Sequence, residues 1–196
     1  VTIKGKKAKE YYSIIKKEII QHSIRVSEFA FRMSIQSGIG DPEIMAYAGA
    51  YHDIGKFFIL DVIAKPGLLS EEDREIIKMH PFYSTVALKS RPMHQEVLDL
   101  ILTHHAYPDG RGYPILTHVS EKQILIQVAD IFDALNSERI YRKRPRKNGW
   151  EDIILFHGIP QDFVILMKSV SHVKDSSISS TIERDVQKFL NIAFTK

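Results

Sequence analysis

The 196-residue chain is predicted to fold as an all-α, single-domain helical bundle, on three observations. Apolar residues recur every three or four positions along most of its length. Two segments open with the reciprocal capping pattern of a helix start, and no stretch alternates polar with apolar residues between hairpin turns. No internal repeat divides the chain.

The elements follow in order. Tyr12, Ile15, Ile19, His22, Val26, Phe29 and Met33 form one apolar stripe, which predicts a long first helix ending near Ser37-Gly38. Asp41-Pro42 reads as an N-cap acceptor followed by proline at the first helical position. The inner face of this second helix, Ile44, Tyr47, Ala48 and Tyr51, runs into His52-Asp53. Ser70 with Asp73 and Ser120 with Gln123 resemble capping boxes, and Ser180 with Glu183 suggests the start of a last helix. The segment after Ser120 is apolar nearly all round, as expected of a central buried helix, and Asp130 and Asp133 interrupt it.

Composition narrows the function classes. The chain has no cysteine, which excludes disulfide frameworks, thiolate zinc sites and iron–sulfur clusters and fits a cytoplasmic location. No apolar run approaches the roughly 18 residues of a membrane span, and Lys4–Lys9 precedes no signal-peptide core. A formal charge of +3 gives no ground for a DNA partner. The one compact basic run, Arg142 to Lys147, reads by default as solvated loop.

Without thiolate, imidazole and carboxylate are the ligands left for a catalytic metal, and the chain places them in adjacent pairs, His52-Asp53 and His104-His105. A lone histidine on an apolar face, such as His22, is more often a hydrogen-bonded core residue. Asp130 is different, because an ionised carboxylate in an apolar helix costs several kcal/mol in desolvation unless a cation compensates it. On a continuous helix His52 and Asp53 would lie about 100° apart, able to approach one metal pair from adjacent angles. Asp109-Gly110-Arg111-Gly112-Tyr113-Pro114 is a loop by composition.

Taken together in order, these residues resemble the HD superfamily of metal-dependent phosphohydrolases, and in detail its HD-GYP branch, which is implicated in cyclic di-GMP hydrolysis. The likeness covers roughly Glu18 to Arg144: HDIGK at 52–56, KPGLLSEE at 65–72, His80-Pro81, the histidine pair followed by DGRGYP at 109–114, VADIFDAL at 128–135, and Arg139-Ile140-Tyr141-Arg142.

The resemblance implies a metal-dependent cyclic di-GMP phosphodiesterase that yields pGpG or GMP, with its catalytic core over 18–144, a lead-in helical segment over 1–17 as the start of a linker from a sensor domain, and C-terminal helices over 145–196. One divalent ion would be held by His22, His52, Asp53 and Asp130. Its neighbour would be held by Asp53, as a bridge, with His80, His104 and His105. Glu18, one turn before His22, stands where some members hold a third ion, against the alternative of a surface glutamate. Iron or manganese is favoured by the family. Asp53 and Lys56 are the expected catalytic residues, and Lys56, Asp133, Arg139, Arg142 and Tyr113 are expected at the substrate. Asp109 is a candidate to orient a ligand histidine. The loop at 109–114 is also implied to contact diguanylate cyclase domains. The chain departs from the pattern at Ala106, where glutamate usually follows the histidine pair, so lower activity is expected. It departs again at Ser84, usually glycine, and at Phe57-Phe58. His94, His118, His157 and His172 match no ligand position. Two other readings stay open: a degenerate module binding cyclic di-GMP or a cyclase domain without turnover, and an HD hydrolase of another nucleotide.

Overall fold

A computed structural model of the protein describes residues 6–65, 67–137, 149–172 and 177–194. Its helices are α1 (Lys6–Ser37), α2 (Pro42–Tyr51), α3 (Leu60–Ile63), α4 (Glu71–Lys78), α5 (His80–Leu88), α6 (Gln95–Thr103), α7 (Glu121–Asn136), α8 (Trp150–Phe156), α9 (Gln161–Ser171) and α10 (Ser177–Phe194). A 3-10 turn, Ile54–Ile59, joins α2 to α3. The fold class is all-α, as the periodicity predicts. The strand structure described is one antiparallel pair, β1 (His105–Ala106) and β2 (Gly112–Tyr113), with His105 opposite Tyr113. Two residues per strand are too few to show an alternating pattern.

α1 buries most of the predicted stripe, with Ile15, Ile19, His22, Val26 and Met33 facing the core, and adds Ala30 to it. Residues 6–17 belong to the same unbroken helix as the segment that follows. α2 starts where predicted, with Asp41 Oδ1 accepting from the backbone N–H of Glu43 and Ile44. It crosses α1 closely, because Gly49 has no side chain: a Cβ there would stand 2.8 Å from Ser27 Cα. Ser27 adds a hydrogen bond to the Ala46 carbonyl at 2.7 Å. Both capping boxes form, at Ser70 with Asp73 and at Ser120 with Gln123. α7 is the central helix, with Ile124 to Ala129 continuously buried. α9 and α10 pack on α1, and α8 and α9 pack on α7. Trp150 meets Phe132 edge to face, and Phe189 meets Tyr51 in the same way.

Two boundaries differ from the sequence reading. α10 begins at Ser177, so Ser180 and Glu183 lie inside it; serine is only a modestly poor helix former and does not stop a helix with a buried face. α2 ends at Tyr51, so His52 and Asp53 do not continue it. Asp53 takes φ −104°, ψ 0°, the bridge conformation common at functional residues, and the chain tightens into the 3-10 turn.

The reason for that tightening is the approach of α5. Gly55 packs so closely on it that a Cβ would lie 2.0 Å from the His80 carbonyl oxygen and 2.6 Å from Ser84 N. Ser84 Oγ accepts from Gly55 N–H and donates to the His52 carbonyl, each at 2.8 Å, tying the turn to α5. Gly55→Ala therefore overpacks this contact and is expected to cost about 1–3 kcal/mol or more. Urea denaturation of the two proteins measures it, and an unchanged midpoint would show that the contact is not tight.

Candidate metal centre

Seven side chains from five places in the chain converge: His22 on α1, His52 and Asp53 after α2, His80 at the start of α5, His104 and His105 after α6, and Asp130 on α7. Their ligand atoms form three overlapping groups within 4.8 Å: His22, His52 and Asp130; His52, Asp53 and His104; and His80, His104 and His105. The two flanking groups share no residue. Asp53 stands between them, with Oδ1 at 3.1 Å from His80 Nε2 and Oδ2 at 3.6 and 3.5 Å from His22 and His52 Nε2.

The histidines are oriented from behind. His52, His80 and His104 place Nδ1 at 2.7, 2.7 and 2.6 Å from the carbonyls of Gly49, Ile77 and Ile101, each three residues earlier. A carbonyl only accepts, so each Nδ1 carries the proton and each Nε2 presents a lone pair inward. His22 Nδ1 donates instead to Asp133 Oδ2 at 2.7 Å.

That arrangement fits divalent cations. His80 and His104 aim lone pairs at one another across 3.2 Å, and His80 aims its own at Asp53 Oδ1. Buried lone pairs so placed repel unless a cation lies among them. His52 Nε2 and Asp53 Oδ1 are buried and accept no hydrogen bond among the described residues. Metal–ligand bonds of about 2.1 Å put adjacent ligands roughly 3.0–3.4 Å apart, and His22 Nε2 stands 3.0 Å from Asp130 Oδ1.

The electrostatics agree. Burial lowers the pKa of His52, His104 and His105, the last to about 3, so their rings are neutral and able to ligate. For Asp53 and Asp130 burial opposes ionisation, yet both are held well below the usual carboxylate range. Lys56 and the histidines outweigh burial at Asp53, and His22 and its neighbours do so at Asp130.

Other predicted residues fall in several places. Lys56 donates to Asp53 Oδ2 at 2.5 Å from the 3-10 turn, its side chain 20% exposed. The Tyr113 ring lies 4.8 Å from that of His105 and 6.4 Å from that of His80, at the rim of the histidine group. Glu18 is half-buried one turn before His22, outside the three ligand groups. Arg139 and Arg142 lie outside the described residues.

Asp133, expected at the substrate, faces the back of His22 and Arg25. It is buried, with its oxygens taken by His22, by Arg25 at 2.6 and 3.0 Å, and by Ser137 at 2.8 Å, so it orients His22. Asp109 does not reach a ligand histidine: it accepts from Arg111 N–H and Nε, and meets His157 at 3.2 Å. Its place after the turn at Pro108 directs it back toward α8 rather than toward the cluster. Ala106 is 1% exposed, so a glutamate here would have to bury its carboxylate where the methyl now sits.

Some contributors were not singled out from sequence. Arg25 holds Asp133 from one turn after His22, a spacing that could have signalled it. The sequence marks Ser84 only as a departure from glycine and gives His157 no ligand position.

A helical domain with two imidazole-rich groups joined by a shared aspartate is a histidine–aspartate metal-site protein. A family model described as HD domain matches residues 19–135, and the chain belongs to that family. It is 30% identical over 173 residues to a cyclic di-GMP phosphodiesterase of Thermotoga maritima, a match covering 80% of this chain and 46% of that one. It is 32% identical over 136 residues to a cyclic di-GMP phosphodiesterase of Pseudomonas aeruginosa, covering 66% and 32%. To the 3'3'-cGAMP-specific phosphodiesterase 2 of Vibrio cholerae it is 31% identical over 139 residues, covering 67% and 26%. The chain spans less than half the length of these relatives. The HD domain of the L. monocytogenes phosphodiesterase PgpH, in complex with cyclic-di-AMP, has the same fold at 20% identity and a TM-score of 0.54, covering 95% of this chain and 98% of that one. Among the described residues no helix is long and apolar enough to cross a membrane.

Removing the carboxylate behind His22 tests the orientation argument. Asp133→Ala is expected to weaken Mn(II) binding about 10- to 100-fold, read by calorimetric titration. Unchanged affinity would mean that His22 holds its orientation without Asp133.

Proposed function

We propose that the protein is a metal-dependent phosphodiesterase acting on cyclic di-GMP, with pGpG or GMP as product. The observation that carries the reading is Asp53, whose two oxygens face two separate imidazole-rich groups. Two divalent ions held by these groups supply, when bound, activation of a water and neutralisation of phosphate charge. His22, His52 and Asp130 would hold one ion and His80, His104 and His105 the other, with Asp53 shared. Iron or manganese suits this set, and Glu18 is the candidate ligand for a third. The substrate class comes from the relatives named cyclic di-GMP phosphodiesterases, together with the DGRGYP loop.

The chain's own residues have distinct tasks in this reading. Lys56 Nζ has three N–H donors and spends one on Asp53 Oδ2, leaving two for phosphate oxygens from a partly exposed position. Its charge also keeps the shared carboxylate ionised and therefore able to bridge. Tyr113 offers an aromatic face beside His105 against which a base can rest. Arg139 and Arg142 supply guanidinium groups for the substrate phosphates. The loop at 109–114 is the surface for diguanylate cyclase domains, and the setting is cytoplasmic.

Turnover is the direct test. Protein loaded anaerobically with Fe(II) or Mn(II) is expected to hydrolyse cyclic di-GMP faster than 3'3'-cGAMP or cyclic-di-AMP, followed by chromatography of the products. Binding without turnover in fully loaded protein would replace the enzyme by a receptor. Faster cleavage of another dinucleotide would change the substrate.

Two variants divide the roles. Asp53→Ala should lose more metal than loss of any one terminal ligand and should abolish hydrolysis; two ions retained per chain, by elemental analysis, would remove its bridging role. The double variant Arg139→Ala, Arg142→Ala should bind cyclic di-GMP more weakly with metal content unchanged, and unaltered affinity would place the phosphate contacts elsewhere.

A further inference from the structure

The metal-facing histidines are not all held in the same way. Three use a carbonyl three residues back and His22 uses Asp133, but His105 has left α6 for β1. The partner at its Nδ1 is the hydroxyl of Tyr107, at 3.5 Å. At that distance the contact is a weak restraint by itself, so its worth depends on how firmly the tyrosine is fixed.

Tyr107 is fixed from three sides. Its backbone N–H donates to the Arg111 carbonyl at 3.1 Å and its carbonyl accepts from Gly110 N–H at 3.0 Å. The tight hairpin that makes this possible depends on Gly112, at φ +110°, where a Cβ would stand 1.9 Å from the His105 carbonyl oxygen. The third side is the ring face, which stacks on His157 with centroids 3.9 Å apart and planes 20° from parallel.

His157 is in turn pinned to the same loop. Its Nδ1 lies 3.2 Å from Asp109 Oδ2, and its carbonyl accepts from Asp109 N–H at 3.3 Å. Next to it, the Arg111 guanidinium lies 3.6 Å over the Phe156 ring and donates to the Phe156 carbonyl. The C-terminal end of α8 is thereby clamped onto the loop directly behind Tyr107.

We propose that Tyr107 is the positioning residue for His105 and that His157, at the end of α8, keeps Tyr107 in position. The orientation of one ligand then depends on a contact between the 107–112 loop and the C-terminal helices, while the other ligands are set within the core. This rests on the reading of the seven-residue cluster as a two-ion site.

Tyr107→Phe keeps the ring and its stacking and removes only the hydroxyl. In calorimetric titration with Mn(II), the wild-type protein is expected to bind two ions, and Tyr107→Phe to bind one of them about 10-fold more weakly with the other unchanged. His157→Ala, which removes the stacking partner, should weaken the same ion. Wild-type affinity at both positions in either variant overturns the proposal, and so does an equal loss at both, which would make Tyr107 a packing residue. A wild-type protein that binds fewer than two ions instead overturns the two-ion reading itself, and this inference with it.

Discussion

The structure is organised around a buried negative charge. Asp53 sits at the meeting point of α2, α5 and the 3-10 turn with essentially no access to water, and burial alone would favour its neutral form. It is kept ionised above all by Lys56, while burial holds the nearby rings of His52, His104 and His105 neutral. The result is an electron-rich pocket enclosed by an apolar bundle. A fold can maintain such a pocket only if the groups around it cannot turn away. The backbone carbonyls behind His52, His80 and His104 meet that need without using further side chains.

The helical order was legible because each helix advertises itself twice, by its apolar stripe and by its cap. Asp41-Pro42, Ser70 with Asp73, and Ser120 with Gln123 are local devices whose meaning does not depend on tertiary structure. The end of α2 was not legible, because it is set by the approach of α5, a contact between residues about thirty positions apart. The paired strands at 105–106 and 112–113 were likewise too short to announce themselves.

The ligand atoms were partly legible. Histidine and aspartate in an apolar setting signal a need for compensation, and Asp130 carried that signal most strongly. What the sequence hid was the direction of each side chain. Asp133 and Asp130 lie three positions apart on α7, close enough to share a face, yet one oxygen of Asp130 looks into the cluster while Asp133 looks at the back of His22. Asp109 precedes the GYP loop and turns away toward α8. Such differences are decided by which partner is nearer in space, Arg25 in one case and Arg111 with His157 in the other.

The close seating of Gly55 on α5 has a mechanical consequence. Ser84 bonds to the Gly55 N–H and to the His52 carbonyl, and the turn leaves no room for even a methyl group against the first residues of α5. His52, Asp53, Lys56 and His80 therefore move as a single stiff block. The close seating of Gly49 on Ser27 ties α1 and His22 to the same block, so the compliance of the cluster lies in its other two walls: α7 with Asp130, and the α6–β1 junction with His104 and His105. A deformation that widens or narrows the space between the two ligand groups must work by shifting those walls against the block.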